Sequence, residues 1–470
     1  MLSPISQWRC SVPTFHSPLE SWLRAGGLPS LMLASIKTLI RGDGHQAEVM
    51  RGAATAFILR GLGAGLAFGL SVVIGRLLGA EGAGLYFLAL SIVTIATVLT
   101  RFGMDNSLLR FIASSVALDQ WARARGVYRL GMRTLALASA VAGLLVVLLG
   151  PLVAGRWLGK PELGDVLQVM GLGTLGLAVM MAGAECLKGL KRIAAAVAIS
   201  SIISPLVALA LIWPMTQRFG PAGAAGAYAA GVSIAAVAGW VLWRCFTAVH
   251  VDEKPDFAWP ELWDSCRPLW LMSIITKAIM PWSPLLILGF FATPDDVGVY
   301  GGATRIAMLV TFLLISVNTV ISPKFAELYA KGNINALARI ARRFALLITL
   351  ATSPLFVLLI VAGDIVMSVF GPGFERGGPA LAILAAGQAV NALTGSAGAL
   401  LMMTGHERDI RNASIVAGVL VLALSLALIP LYGLIGAAIS TAISIAAMNL
   451  ISIAMIKRRL GIFVMPWARD

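Results

Sequence analysis

The hydrophobic positions of this chain fall in long unbroken runs rather than in a periodic stripe. Leu135 to Val153, Ile193 to Ile212, Leu346 to Val361 and Ile415 to Ile429 are apolar on every side. A surface helix of a soluble protein keeps a polar face, so these runs belong in lipid. Barrel strands would be shorter and would alternate at every second residue, which these runs do not. Taking about 20 apolar residues as the length that crosses a bilayer, the pattern predicts spans near 55–76, 83–103, 129–153, 165–187, 193–214 and 221–243. A second set follows near 267–291, 297–321, 341–369, 378–403, 411–430 and 433–456. Between the sets, the stretch from Arg244 to Arg267 holds Asp252, Glu253, Lys254, Pro255, Asp256 and Pro260, the composition of a linker. The expected fold is an all-α integral membrane protein of about twelve transmembrane helices. One bundle of six covers residues 51–246, a linker 247–266, a second bundle of six 267–460 and a tail 461–470.

Charge orients this arrangement. Only 12% of the 470 residues are charged, against 59% hydrophobic, where a soluble domain is about a quarter charged. The net charge of +14 would suggest nucleic acid in a soluble protein. Here the basic residues flank apolar runs, where they set topology, which argues against a nucleic-acid partner. Arg123, Arg125 and Arg129, Lys188, Lys191 and Arg192, Arg339, Arg342 and Arg343, and Lys457, Arg458 and Arg459 fall on one predicted side. The other side keeps a sparse set: Arg76, Arg156, Lys160, Arg218 and Arg376. The positive-inside rule then puts both termini in the cytoplasm. Residues 1–50, with Pro4, Pro13, Pro18 and Pro29, have no run long enough for a span. They read either as a disordered cytoplasmic tail or as sequence ahead of a true start at Met50. Cys10, Cys186, Cys245 and Cys266 have neither disulfide nor metal spacing, and His16, His45, His250 and His406 are scattered, so no metal or cofactor is expected.

The two sets of spans repeat one another. Leu78-Gly79-Ala80-Glu81-Gly82-Ala83-Gly84-Leu85-Tyr86 matches Ala292-Thr293-Pro294-Asp295-Asp296-Val297-Gly298-Val299-Tyr300, with an acid and a Gly-x-Tyr at the same spacing. Trp157-Leu158-Gly159 matches Val369-Phe370-Gly371. Ile212-Trp213-Pro214 followed by Gly220 to Ala225 matches Leu428-Ile429-Pro430 followed by Gly433 to Ala438. The offset is roughly 212 to 216 residues at every anchor, in the same order, which marks a parallel internal repeat. Parallel repeats with an even number of spans are related by an axis along the membrane normal, with the substrate site between the bundles.

These residues carry a resemblance. The stretch from Gly61 through Gly75-Arg76-Leu77-Leu78-Gly79 to Tyr86, followed by Arg101-Phe102-Gly103-Met104-Asp105-Asn106 to Phe111, resembles the opening of polysaccharide-transport flippases of the Wzx type. Their superfamily also holds the lipid II flippase MurJ and the MATE drug exporters. The resemblance extends over about residues 50 to 460, including the loop Phe370-Gly371-Pro372-Gly373-Phe374. It implies two pseudo-symmetric bundles around a central cavity that opens alternately to each side of the inner membrane. It implies as substrate an undecaprenyl-diphosphate-linked oligosaccharide, a repeat unit of O-antigen of lipopolysaccharide, capsule or exopolysaccharide. As partners it implies membrane lipids, a polysaccharide polymerase and a chain-length regulator.

Ionisable groups inside spans are costly and mark pathways. Lys277 and Arg305 lie deep in their predicted spans, and Arg60 and Arg101 nearer the cytoplasmic face, where snorkelling is an alternative. Together they are the expected cationic cavity for a diphosphate, which Arg forks and Lys point charges both bind. Pairing of Lys277 and Arg305 with Glu185 or Asp364 is the competing structural reading. Asp105, Glu185, Asn318, Asp364, Gln388 and Asn391 are the remaining intramembrane polar candidates, for the path or for coupling to a proton or sodium ion. Amides of this kind also join helices in lipid. A membrane enzyme of polysaccharide synthesis is disfavoured by short outer loops and the lack of a nucleotide motif. A MATE-like cation exporter would want acids where this chain has Lys277 and Arg305, whereas a lipid II flippase shares the diphosphate.

Overall fold

The computed structural model describes residues 45–250 and 256–465, and every regular element among them is helical. The main helices are α1 (His45–Thr100), α2 (Met104–Ala117), α3 (Trp121–Leu152), α4 (Leu163–Gly171), α5 (Gly173–Gly189) and α6 (Ile193–Phe246). They are followed by α7 (Trp259–Phe291), α8 (Pro294–Ala330), α9 (Ile334–Val361), α10 (Gly378–Leu393) and α11 (Glu407–Leu460). Most of the N-terminal stretch read as a tail, part of the linker at 251–255, and 466–470 of the C-terminal tail lie outside the described residues.

Seven helices among the described residues are long and apolar enough to cross a membrane, or eight if α4 and α5, bent by 43°, form one span. The expected count of about twelve differs because several of these helices are too long to cross once. A helix of 54 residues such as α6 would extend about 80 Å, far beyond the roughly 30 Å hydrocarbon core. Each overlong helix is interrupted by one glycine at positive φ: Gly79 at 67°, Gly220 at 54° and Gly433 at 52°. Only glycine takes that conformation without strain. In α6 and α11 the break folds the helix back on itself. A Cβ on Gly223 would lie 2.1 Å from the Met215 carbonyl oxygen, and one on Gly436 would lie 2.3 Å from that of Leu428. Ser425 donates to Ser440 at 2.9 Å across the α11 turn.

Helices α1 to α6 pack largely on one another, as do α9, α10 and α11. The most extensive helix pair, however, joins the halves of the chain: α1 with α8. Its centre is the repeated Gly-x-Tyr motif meeting itself. A Cβ on Gly84 would sit 1.8 Å from the Pro294 carbonyl oxygen, and a Cβ on Gly298 would sit 2.0 Å from that of Ala80. The two helices therefore cross backbone to backbone, as small residues allow in lipid. Two further contacts close this end. Arg76 Nε donates to the Val369 carbonyl at 2.9 Å, and Lys160 Nζ to the Gly289 carbonyl at 2.6 Å. Burial lowers the Lys160 pKa in its loop.

At the opposite end, the arrangement departs from the sequence reading in two places. The linker expected over 247–266 is helical from Trp259 onward, and α7 begins there against α2. The span expected over 83–103 ends at Thr100, where Phe102 at φ 48° and Gly103 at φ 70° turn the chain into the additional helix α2. Lipid-facing residues are apolar, as along α3, where Leu137, Val141, Leu144 and Leu148 are exposed.

Candidate functional site

A cavity of about 620 Å³ opens between α1, α5, α6, α7 and α8, so it draws on both halves of the chain. That volume lies within the range of ligand pockets. Its wall on α6 is a turn of wider helix over Ala198–Ile203, which presents Ser200 and Ser201, with Ser204 following. Such π-type turns recur at functional sites because they redirect side chains and carbonyls. Gly63 allows α1 to lie on this turn: a Cβ there would be 2.6 Å from Ser201 Cβ. One turn before it, Arg60 reaches the cavity. Facing it from the second half are Trp282, beside Pro281, and Arg305.

Arg305 is held by groups that carry no formal charge. Its guanidinium lies 3.7 Å over the Phe87 ring centroid and donates to the Gly301 carbonyl at 2.8 Å. Cation–π contact and a carbonyl fix the direction of the group but leave its charge uncompensated. Tyr86 and Tyr228 also line the cavity, edge to face with centroids 6.4 Å apart. Among the described residues, two arginines and no aspartate or glutamate line it. The cavity is therefore a largely apolar space whose polar groups, two guanidinium groups and several hydroxyls, favour an anion.

The other two predicted cations stand elsewhere. Lys277 lies in a second wide turn, Ile274–Ile279, and pairs with Asp105 Oδ2 at 2.6 Å. Arg101 pairs with Asp105 Oδ1 at 3.0 Å, and both side chains are 7% exposed. Arg101 is thus buried rather than snorkelling, and its Nε has no hydrogen-bond partner. The acid facing Lys277 is Asp105, not Glu185 or Asp364, because the break after Thr100 swings α2 beneath α7. Trp270 Nε1 donates at 3.1 Å to the Leu99 carbonyl at that break, which also accepts from the Phe102 N–H, and Phe102 packs edge-on against Trp270. Neither Lys277, Arg101 nor Asp105 lines the cavity.

Glu185 pairs with Lys188 at 2.6 Å. Asp364 sits against the backbone of Gly378, where a Cβ would overlap its carboxylate. Gln388 and Asn391 bond each other at 3.1 Å, and the Asn318 side-chain oxygen is buried without a partner. None of these five lines the cavity. Among the described residues no cluster of His, Cys, Asp and Glu has the geometry to hold a metal. Sequence reasoning missed the serines of α6 and the two tyrosines, since uncharged residues in an apolar run give no signal. The Gly-x-Tyr repeat was the one available clue to Tyr86.

The chain was compared with known proteins. A family model described as "Polysaccharide biosynthesis protein" matches residues 49–329. The "Probable flippase AglR" of Haloferax volcanii is 27% identical over 176 residues, 37% of either chain. The "Probable low-salt glycan biosynthesis flippase Agl15" of the same organism is 22% identical over 404 residues, covering 85% of this chain and 81% of the relative. The first match thus spans little more than a third of that relative. Among solved structures, the lipid II flippase MurJ in an inward closed conformation aligns with TM-score 0.67 at 13% identity, covering 85% of this chain and 87% of that one. An inward-facing MATE family multidrug resistance transporter aligns with TM-score 0.66 at 16% identity, covering 87% and 98%. These likenesses establish the shared fold, and the relatives are flippases and transporters rather than enzymes.

Proposed function

The chain belongs to the polysaccharide biosynthesis protein family, and from that premise we propose that it is a flippase for a diphosphate-linked oligosaccharide carried on undecaprenol. The observation that carries this reading is the cavity between the halves, with Arg60 and Arg305 and no carboxylate. A diphosphate supplies the missing countercharge, and arginine forks bind phosphate oxygens in pairs. The hydroxyls of Ser200, Ser201 and Thr304 and the rings of Tyr86 and Trp282 suit the sugars next to it. The prenyl chain stays in the bilayer, where burying it again would gain nothing.

Counting each arm of α1, α6 and α11, taking α4 with α5 as one span and adding α8 makes twelve spans in two bundles of six, with the cavity on the pseudo-twofold axis. The positive-inside distribution puts the Gly84–Gly298 crossing on the periplasmic side and both chain ends in the cytoplasm. The cavity then receives substrate from the cytoplasmic leaflet while the crossing seals the other side. Alternating access follows when the Asp105–Lys277 contact, formed here together with the crossing, parts to admit substrate and closes again as the halves rock and the crossing opens. Coupling to a proton or sodium ion would have to act outside the cavity wall, since Asp105, Glu185 and Asp364 all lie away from it.

The test is complementation of a strain lacking this gene. Arg60→Ala with Arg305→Ala, inserted at wild-type level, is expected to abolish surface glycan and to trap lipid-linked precursor in the inner leaflet. Normal glycan export by this variant would overturn the cavity as the diphosphate path. Restored drug resistance without glycan export, in cells carrying the wild type, would overturn the substrate class.

A further inference from the structure

A second cavity, of about 860 Å³, lies between α3, α5 and α6, with no lining residue in common with the first. Val179 lines it, whereas Met180 and Met181 line the central cavity, so α5 separates the two. Among the described residues, four arginines and no acidic residue line it: Arg125, Arg129, Arg133 and Arg244. Arg129 and Arg133 are spaced by four residues and so share one face of α3, where like charges repel. An arrangement of that kind becomes favourable when an anion sits among the guanidinium groups.

The rest of the wall is that of a membrane boundary. The Arg244 guanidinium lies 4.2 Å over the Trp240 ring, and Tyr128 stacks on Trp243 with centroids 4.0 Å apart and planes 5° apart. Aromatic residues of this type gather at headgroup level. Above them Met132 and Ala136 continue the wall into the apolar stretch of α3, where Leu137, Val141 and Leu144 are exposed. A molecule with its anionic end among the arginines would lay its tail along that belt.

We infer that this cavity binds the phosphate headgroup of an anionic membrane phospholipid, held by Arg129 and Arg133 with the acyl chains along α3. Basic pockets between transmembrane helices are the usual sites for such headgroups. The site is independent of the transport cavity, and its occupancy does not depend on which glycan is moved.

The experiment is native mass spectrometry of the full chain from nanodiscs of phosphatidylglycerol mixed with phosphatidylcholine. The wild type is expected to retain phosphatidylglycerol selectively. The variant with Arg129→Gln and Arg133→Gln is expected to lose that selectivity by roughly 30-fold, given about a kilocalorie per mole for each basic residue near the headgroups. The Arg129→Lys, Arg133→Lys protein keeps the charge and is expected to retain a measurable part of it, which separates a lost site from a misfolded protein. In a third arm, nanodiscs of phosphatidylcholine alone receive inorganic phosphate, which is expected not to raise the thermal midpoint as phosphatidylglycerol does. Equal stabilisation by inorganic phosphate, or equal retention of both lipids by the wild type and the Gln variant, would overturn the inference.

Discussion

The two halves of this chain are alike where they meet on one side and unlike in the cations they hold deep within the bundle. At the α1–α8 crossing the repeat is nearly exact: Gly84 faces Pro294 as Gly298 faces Ala80. An offset of roughly 214 residues relates each contact to its mate. The same offset sends Arg305 to Ser91, Lys277 to Gly63 and Arg60 to Ile274, so none of these three cations has a charged counterpart. The backbone differs as well. Helix α8 runs unbroken from Pro294 to Ala330, while the equivalent stretch of the first half stops at Thr100 and restarts as α2. That break makes the notch that receives Trp270 and gathers Arg101, Asp105 and Lys277. Symmetry therefore belongs to the backbone crossing of α1 and α8, and its loss belongs to the cations Arg60, Lys277 and Arg305.

The largest expected effect tests the symmetric part. Gly84→Leu and Gly298→Leu each place side-chain atoms where the opposing backbone lies, and a backbone cannot yield as a side chain can. Each is expected to cost about 3 kcal/mol or more, seen as a loss of folded protein and a lower thermal midpoint. Gly65→Leu, with nothing within 4 Å of its Cβ, serves as the tolerated control. The comparison breaks if one of the pair is ruinous and its mate is silent.

Next in size is the asymmetric part. Asp105→Asn leaves the buried Arg101 without its carboxylate and strips Lys277 of its partner. Removing one member of a buried ion group is expected to cost about 3 kcal/mol, measured as the shift in unfolding midpoint in detergent. Lys277→Gln is expected to cost less than about 1 kcal/mol, because the Lys277 side chain is 44% exposed and water already screens it. A double-mutant cycle should then show coupling between positions 105 and 277. Independent effects would mean that the contact across the halves contributes nothing to closure.

The sequence made the scaffold readable and much of the site unreadable, for one physical reason. Lipid imposes run length and the positive-inside bias on every span, so the helices, their order and the repeat could be read directly. Gly79, Gly220 and Gly433 fall between predicted spans, the last two beside Pro214, Pro221 and Pro430, so turns could be read there. Arg60 and Arg305 stood out because a cation in an apolar run is rare. The pairing of Asp105 with Lys277 joins residues 172 apart and depends on the turn at Phe102 and Gly103. Its only local sign was a glycine between Arg101 and Asp105, which by itself says nothing of a partner. The start of α7 at Trp259 was hidden in the same way, since its first turns are polar and are stabilised by α2 rather than by lipid.

The smallest expected effect lies at the end of the unbroken helix. Beyond the predicted span, Glu327 bridges Lys324 at 2.8 Å and Lys331 at 2.6 Å, and its hydrogen bonds to the two lysines hold its pKa down to about 2. A carboxylate depressed in the folded state adds stability above its unfolded value of 4.5 and gives it up only as pH falls through about 2. Between pH 8 and pH 6 this group is therefore ionised in both states, and the thermal midpoint should not change on its account. The pairs are exposed, where such bridges contribute little. Glu327→Gln is accordingly expected to leave the midpoint unchanged at neutral pH and at any salt concentration. A clear, salt-sensitive drop would mean that the continuity of α8 depends on its charged end, and that the contrast with the broken helix of the first half rests on surface charge rather than on the turn at Gly103.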